Sequence, residues 1–118
     1  MAIILKNELG NIKIRKDVVS QIAGASAIEC YGLVGMVSFG HTGDIVRLLK
    51  RDQLSKGVKI EETSDGIVIT LGVVIQFATK ISVVAENIIS QVKYNVEKQA
   101  GVKVSRVNIN IESVRVQN

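Results

Sequence analysis

Between residues 67 and 116 the hydropathy pattern changes period twice, and that change restricts the fold more than any other feature of the chain. Ile67, Ile69, Leu71, Val73, Ile75 and Phe77 recur at every second position, which puts them on one face of an extended strand. Ile81, Val84, Ala85, Ile88, Val92 and Val96 follow at helical spacing and make one apolar stripe. Gly101 then ends the helix, as a residue free to take positive φ does. Val107, Ile109 and Ile111 restore the period of two. A strand face, a helix stripe and a second strand face of this kind can bury one another.

Composition agrees with a small aliphatic core. The chain has 118 residues, which fits one domain, residues 1–118. Hydrophobic residues make up 47% and aromatic residues only 3%, with no Trp and no Pro. Many of the aliphatics are Val and Ile, which favour strands. The formal net charge is +4, mildly basic, which permits contact with an anionic partner without requiring one. The single cysteine, Cys30, can form no intramolecular disulfide and no thiolate zinc site by itself, in keeping with a reducing cytoplasm. The apolar run at residues 2–5 is shorter than a signal peptide needs. No run of about 18 apolar residues is present, so no transmembrane helix is expected. Work at a membrane would require a partner to hold the protein there.

Taken in order, residues 11–15 after Gly10 alternate as a short edge strand, with Lys13 and Arg15 toward water. Asp17 suits the start of a helix whose positive end favours an acid. Val18, Ile22, Ala25 and Ile28 fall on one face of that helix, and Ala23, Gly24, Ala25 and Ala27 make it thin enough to lie close to a sheet. Residues 33–39 are apolar and read as a buried strand, kinked at Gly35. Residues 44–56 place Ile45, Leu48 and Leu49 on one side and Arg47, Lys50, Arg51 and Lys56 on or near the other; this reads as a short basic helix. Residues 58–62 alternate as a strand, and Ser64-Asp65-Gly66 supplies the hairpin turn into the strand over 67–77. The second face of that strand, Val68, Thr70, Gly72, Val74 and Gln76, is only half polar, so a helix, a loop or another subunit is expected to cover part of it. Val102 and Val104 have one parity and Val107, Ile109 and Ile111 the other, which a bulge near Ser105-Arg106 reconciles. The predicted order is β-α-β-α-β-β-α-β, an α+β domain with a mainly antiparallel sheet and helices on one face.

No constellation in the sequence is armed for reaction. Cys30 and His41 are the only thiol and imidazole; such a pair can make a nucleophile, but a buried structural cysteine at the end of an apolar helix is the commoner arrangement. Gly40-His41-Thr42-Gly43 is a turn without the phosphate-loop or dinucleotide pattern. Glu61 and Glu62 point to opposite faces of their strand, so with Asp65 they read as a solvated hairpin end rather than an acid–base or metal site. The basic run Arg47, Lys50, Arg51 and Lys56 can meet phosphates. It has no aromatic residue for base stacking, and a nucleic-acid module is the alternative reading rather than the main one. With Val68, Thr70 and Val74 it forms the candidate interaction surface. No catalytic residue, cofactor or metal is assigned, and no small-molecule substrate is expected.

Spread over most of the chain, the sequence resembles the alkaline shock protein family of small bacterial envelope-stress and general stress proteins. Residues 10–14 with Asp17-Val18-Val19 are similar to the family's opening strand and helix start, and residues 31–36 to its glycine-bounded turn and strand. Gly57-Val58-Lys59-Ile60, the strand over 67–77, Val84-Ala85-Glu86-Asn87, Gln91-Val92-Lys93, Gly101-Val102 and residues 107–111 follow in the family's order. Two positions depart from it. The family's tyrosine-glycine after the long strand is Phe77-Ala78, and its threonine-glycine after the long helix is Ala100-Gly101. The resemblance implies a non-enzymatic protein of cell-envelope homeostasis, with self-association or a protein partner. It implies a cytoplasmic location, with some members held at the inner face of the cell membrane by a small anchor protein. Shorter members like this one are implied to have a link to fatty-acid metabolism.

Overall fold

In the computed structural model, residues 2–38 and 48–116 are described. The elements in order are β1 (Ala2–Asn7), β2 (Gly10–Arg15), α1 (Lys16–Ile28), β3 (Leu33–Met36), a 3-10 helix (Arg51–Gly57), β4 (Val58–Thr63), β5 (Gly66–Gln76), α2 (Ile81–Ala100) and β6 (Val104–Arg115). The α+β class and the mainly antiparallel sheet are as expected. β5 pairs antiparallel with β3 and β4, and β1 with β2, while β6 runs parallel to β5.

β5 is the spine. β6 follows it from Ile67 to Gln76 along one edge, while β4 (against residues 66–71) and β3 (against residues 73–75) share the other. Its inner face, Ile67, Ile69, Leu71, Val73 and Ile75, joins Val84, Ile88, Val92 and Val96 of α2 in one buried cluster. The three-part unit over residues 67–116 therefore closes on itself, but not to its ends: Phe77 lies beyond β5 and is exposed, as are Ile81 at the start of α2 and Ile111 on β6. Gly101 caps α2 in the left-handed conformation, φ 71°, and its N–H donates to the Glu97 carbonyl at 3.1 Å. The Glu97 carboxylate in turn accepts from the Val104 N–H at 3.1 Å, tying the helix end to the start of β6. The expected bulge is present: Val104 pairs with Ile67 and Arg106 with Val68, leaving Ser105 over. A second register shift follows at Glu112, between Ile111 and Ser113. β3 is shorter than the strand expected over 33–39, and its register shifts between Leu33 and Gly35, where the kink is expected.

Several local expectations are corrected. The apolar residues 2–5 belong to a strand, β1, which the predicted order lacks. It pairs residue for residue with β2 from Ala2–Arg15 to Asn7–Gly10. Its turn is held by the Asn7 side-chain oxygen, which accepts from the N–H groups of Leu9 and Gly10. On α1 the buried face is Val19, Ala23 and Ala27 with Ser20, Gly24 and Ser26, while Val18 is 44% exposed. The small residues win that face because the 3-10 helix comes so near: a Cβ on Gly24 would lie 2.9 Å from Leu54 Cβ. The closest approach of the thin α1 at Gly24 is thus made to Leu54, and α1 also lies against β3 and β4 of the sheet, as expected. The basic segment is a 3-10 helix from Arg51, preceded by irregular chain at Leu48, Leu49 and Lys50; its part at residues 44–47, Arg47 included, lies outside the described residues. Asp17 sits in the first turn of α1, as its charge suits, and pairs with Arg15 at 3.2 Å.

Ala78, between β5 and α2, has φ 70°. This is the left-handed region that a side chain with Cβ enters at a cost. It is also the position where the family that the sequence resembles is expected to have glycine.

Candidate interaction surfaces

The outer face of the sheet divides in two. At one end Val68 lies between Glu61 of β4 and Arg106 of β6, and Thr70 between Lys59 and Asn108. Val68 and Thr70 are half-buried and their charged neighbours are exposed. Lys59 and Glu61 form an ion pair at 3.4 Å. At the other end the face is covered. Val74 stands opposite Gly35, where a Cβ would meet Leu48 Cδ2 at 2.8 Å, so Leu48 packs on this face. The Val37 N–H donates to the Gly72 carbonyl beside it. Val74 is consequently fully buried and is removed from the expected surface. Alternation places it on the outer face correctly, but Leu48 packs on that face.

The rest of the expected surface does not form one continuous patch among the described residues. Lys50 and Lys56 are exposed, with exposed Asp52 between them. Arg51 opens the 3-10 helix. Val68 and Thr70 belong to the open end of the sheet, where Thr63, Asp65, Val68, Ser105, Arg106 and Asn108 line a shallow depression of about 360 Å³.

The candidate reactive groups are dispersed or quiet. Cys30, half-buried after α1, has its thiol aimed at the Ser26 carbonyl at 3.5 Å. Burial, and secondarily the Glu29 carboxylate, push the thiol pKa above its usual value, which suppresses the thiolate a nucleophile needs. His41 and the Gly40–Gly43 turn lie outside the described residues. Glu61 and Glu62 pair with Val68 and Ile67 respectively, one on each face of the sheet. Among the described residues no group of three His, Cys, Asp or Glu side chains could hold a metal. Among them, too, no helix is long and apolar enough to cross a membrane.

A groove between the helices goes beyond the expected surface. Val18, Ile22 and Ala25 of α1, on one face as their spacing requires, line one wall of a depression of about 380 Å³, with Asn95 and Gln99 of α2 across from them. A neighbouring hollow of about 330 Å³ carries Asn87 and Gln91 on the same helix. The sequence does contain a signal for it: Asn87, Gln91, Asn95 and Gln99 recur every fourth residue, one row along α2. These amides donate and accept hydrogen bonds but exchange no protons near neutral pH.

Fold and surfaces together define a small α+β domain whose helices cover one side of a mainly antiparallel sheet. The chain belongs to the alkaline shock protein family, a family of cell envelope-related function, whose pattern matches residues 4–116. Among its relatives, the protein YloU of Bacillus subtilis (strain 168) is 37% identical, covering 100% of this chain and 99% of that one. Spy1614 of Streptococcus pyogenes serotype M6 is 33% identical over 98% of this chain and 97% of its own. YqhY of Bacillus subtilis (strain 168) is 29% identical over 91% and 78%. The first two of these are matched over nearly their whole length.

Proposed function

We propose that this protein acts in cell-envelope homeostasis as a non-enzymatic interaction module, engaging a protein partner or further copies of itself. The observation that carries the reading is where the fold leaves its large apolar side chains. Leu9, Ile4 and Ile12 are 99%, 53% and 52% exposed on the β1–β2 arm, and Phe77, Val114 and Val116 are exposed where β5 and β6 end. Apolar groups gathered at an arm and an edge suit docking surfaces. Lys50 and Lys56 add exposed positive charge that suits an acidic protein segment, apart from the open sheet end around Val68 and Thr70. A location at the inner face of the membrane would depend on such a partner, and the link to fatty-acid metabolism would run through partner choice.

Light scattering at rising concentration, joined to crosslinked pull-downs from membrane and soluble fractions, tests the reading. Self-association or recovery of the same envelope partner from independent preparations is the expected result. A strict monomer with no reproducible partner removes it. Salt-sensitive retention of RNA or DNA through the basic segment would move the assignment to the nucleic-acid alternative.

A further inference from the structure

β6 is an edge. It pairs with β5 on one side, and among the described residues nothing pairs with its other side. An edge strand of this length, with unpaired backbone groups, is normally blunted by Pro, by bulges or by inward-pointing charge. This strand has no Pro, and its two register shifts fall at Ser105 and Glu112, toward its ends. Between them the strand is regular.

The sequence of that stretch is nearly its own mirror image about Ile109. Asn108 is mirrored by Asn110, Val107 by Ile111, and Arg106 by Glu112, and the symmetry runs outward through Ser105 and Ser113 to Val104 and Val114. Only one mirrored pair differs in charge, and it differs by opposite sign. When two antiparallel copies of a strand meet on a two-fold axis, each residue faces its mirror position on the same side of the sheet. Arg106 is on the outer face beside Val68, and Glu112 Cγ lies 3.8 Å from where a Gly72 Cβ would stand on that face. Among the described residues neither Arg106 nor Glu112 has an ion-pair partner.

We infer that β6 is a homodimerisation edge: two copies pair antiparallel about Ile109, with Arg106 of each facing Glu112 of the other. The occupant is a second copy because the mirror symmetry of the strand sets each charge opposite its complement. On the inner face, Val107 of each copy meets Ile111 of the other. Ile111 is 36% exposed and Val114 42% exposed in the single chain, and two β6 strands side by side bring two α2 helices to flank these side chains. The pairing is isologous and consumes the edge, so it stops at two copies.

This inference rests on the interaction-module reading and names the surface used. Sedimentation velocity on the full chain tests it with Arg106→Glu and Glu112→Arg, both exposed positions, with melting curves confirming that each variant folds. Each single variant places two like-charge pairs across the axis and is expected to weaken dimerisation about tenfold or more. Mixing the two variants restores opposite charges at both contacts, so the mixture is expected to form a heterodimer, and the double variant a homodimer. A wild-type chain that stays monomeric overturns the inference. Association that ignores these substitutions also overturns it, while leaving the interaction-module reading standing.

Discussion

The molecule contains two antiparallel hairpins of similar pattern and opposite fate. In the hairpin β4–β5, Ile60, Ile67, Ile69 and Leu71 are all buried. In β1–β2 only Ile3 is buried among the large apolar residues, Leu5 and Ile14 are partly so, and Ile4, Leu9 and Ile12 are exposed. β2 alternates as β4 and β5 do, and both hairpins have a turn built from Asn or Asp with Gly. The difference is cover. The helices lie over the sheet that contains β4 and β5, whereas the arm meets the body only along one face, where Leu5 approaches Gly101. Alternation therefore specifies a strand and its two faces, and what lies above each face is a property of the whole chain.

The contrast can be broken most severely at the cover. Ile88 is fully buried on α2, and Ile88→Asp exchanges a packed side chain for an unpaired buried carboxylate. A loss of more than about 4 kcal/mol is expected, a large fraction of the ~5–15 kcal/mol of a typical domain, and the variant should show no cooperative melt. A melt like the parent's would mean that α2 is not the lid over β5.

Truncating the covered hairpin is the next largest effect. Ile69→Ala removes a fully buried side chain from the centre of β5 and is expected to cost about 2–5 kcal/mol in chemical denaturation. The link between β5 and α2 should respond in the opposite direction. Ala78→Gly relieves a left-handed residue and is expected to raise stability by up to about 1 kcal/mol, seen as a higher melting temperature. The smallest change belongs to the arm: Ile12→Ala, at 52% exposed, should shift stability by under about 1 kcal/mol. Hydrogen exchange should order the two hairpins the same way, with β1–β2 amides exchanging well before those of β5. Equal protection would erase the distinction.

Much of this fold is legible in the sequence. The period changes at Ile75, Ile81 and Val107 locate β5, α2 and β6, and the parity break before Val107 locates the bulge at Ser105. Gly101 marks the helix end because a left-handed cap is a backbone requirement that one residue type meets best. The pattern misleads at α1. Val18 and Ala25 share the helical spacing of Ile22 and Ile28 but are exposed, Ile22 and Ile28 pack only partly against the core, and the buried face goes to Val19, Ala23 and Ala27, with Gly24 between them set against Leu54. Alternation puts Val74 on the correct face and still mistakes its exposure, since Leu48 reaches that face from far along the chain. The amide row from Asn87 to Gln99 is visible as a spacing, but nothing local to α2 says that α1 stops short of it and leaves a groove.

By itself, the order of side chains determined what is local and periodic: which segments extend, which coil, where each stops, and which strand reads the same in mirror image about Ile109. Tertiary structure alone decided which faces are covered and which edges are left open, including the unpaired flank of β6. Burial and pairing depend on elements brought together across the whole chain, and no window of neighbouring residues contains that information.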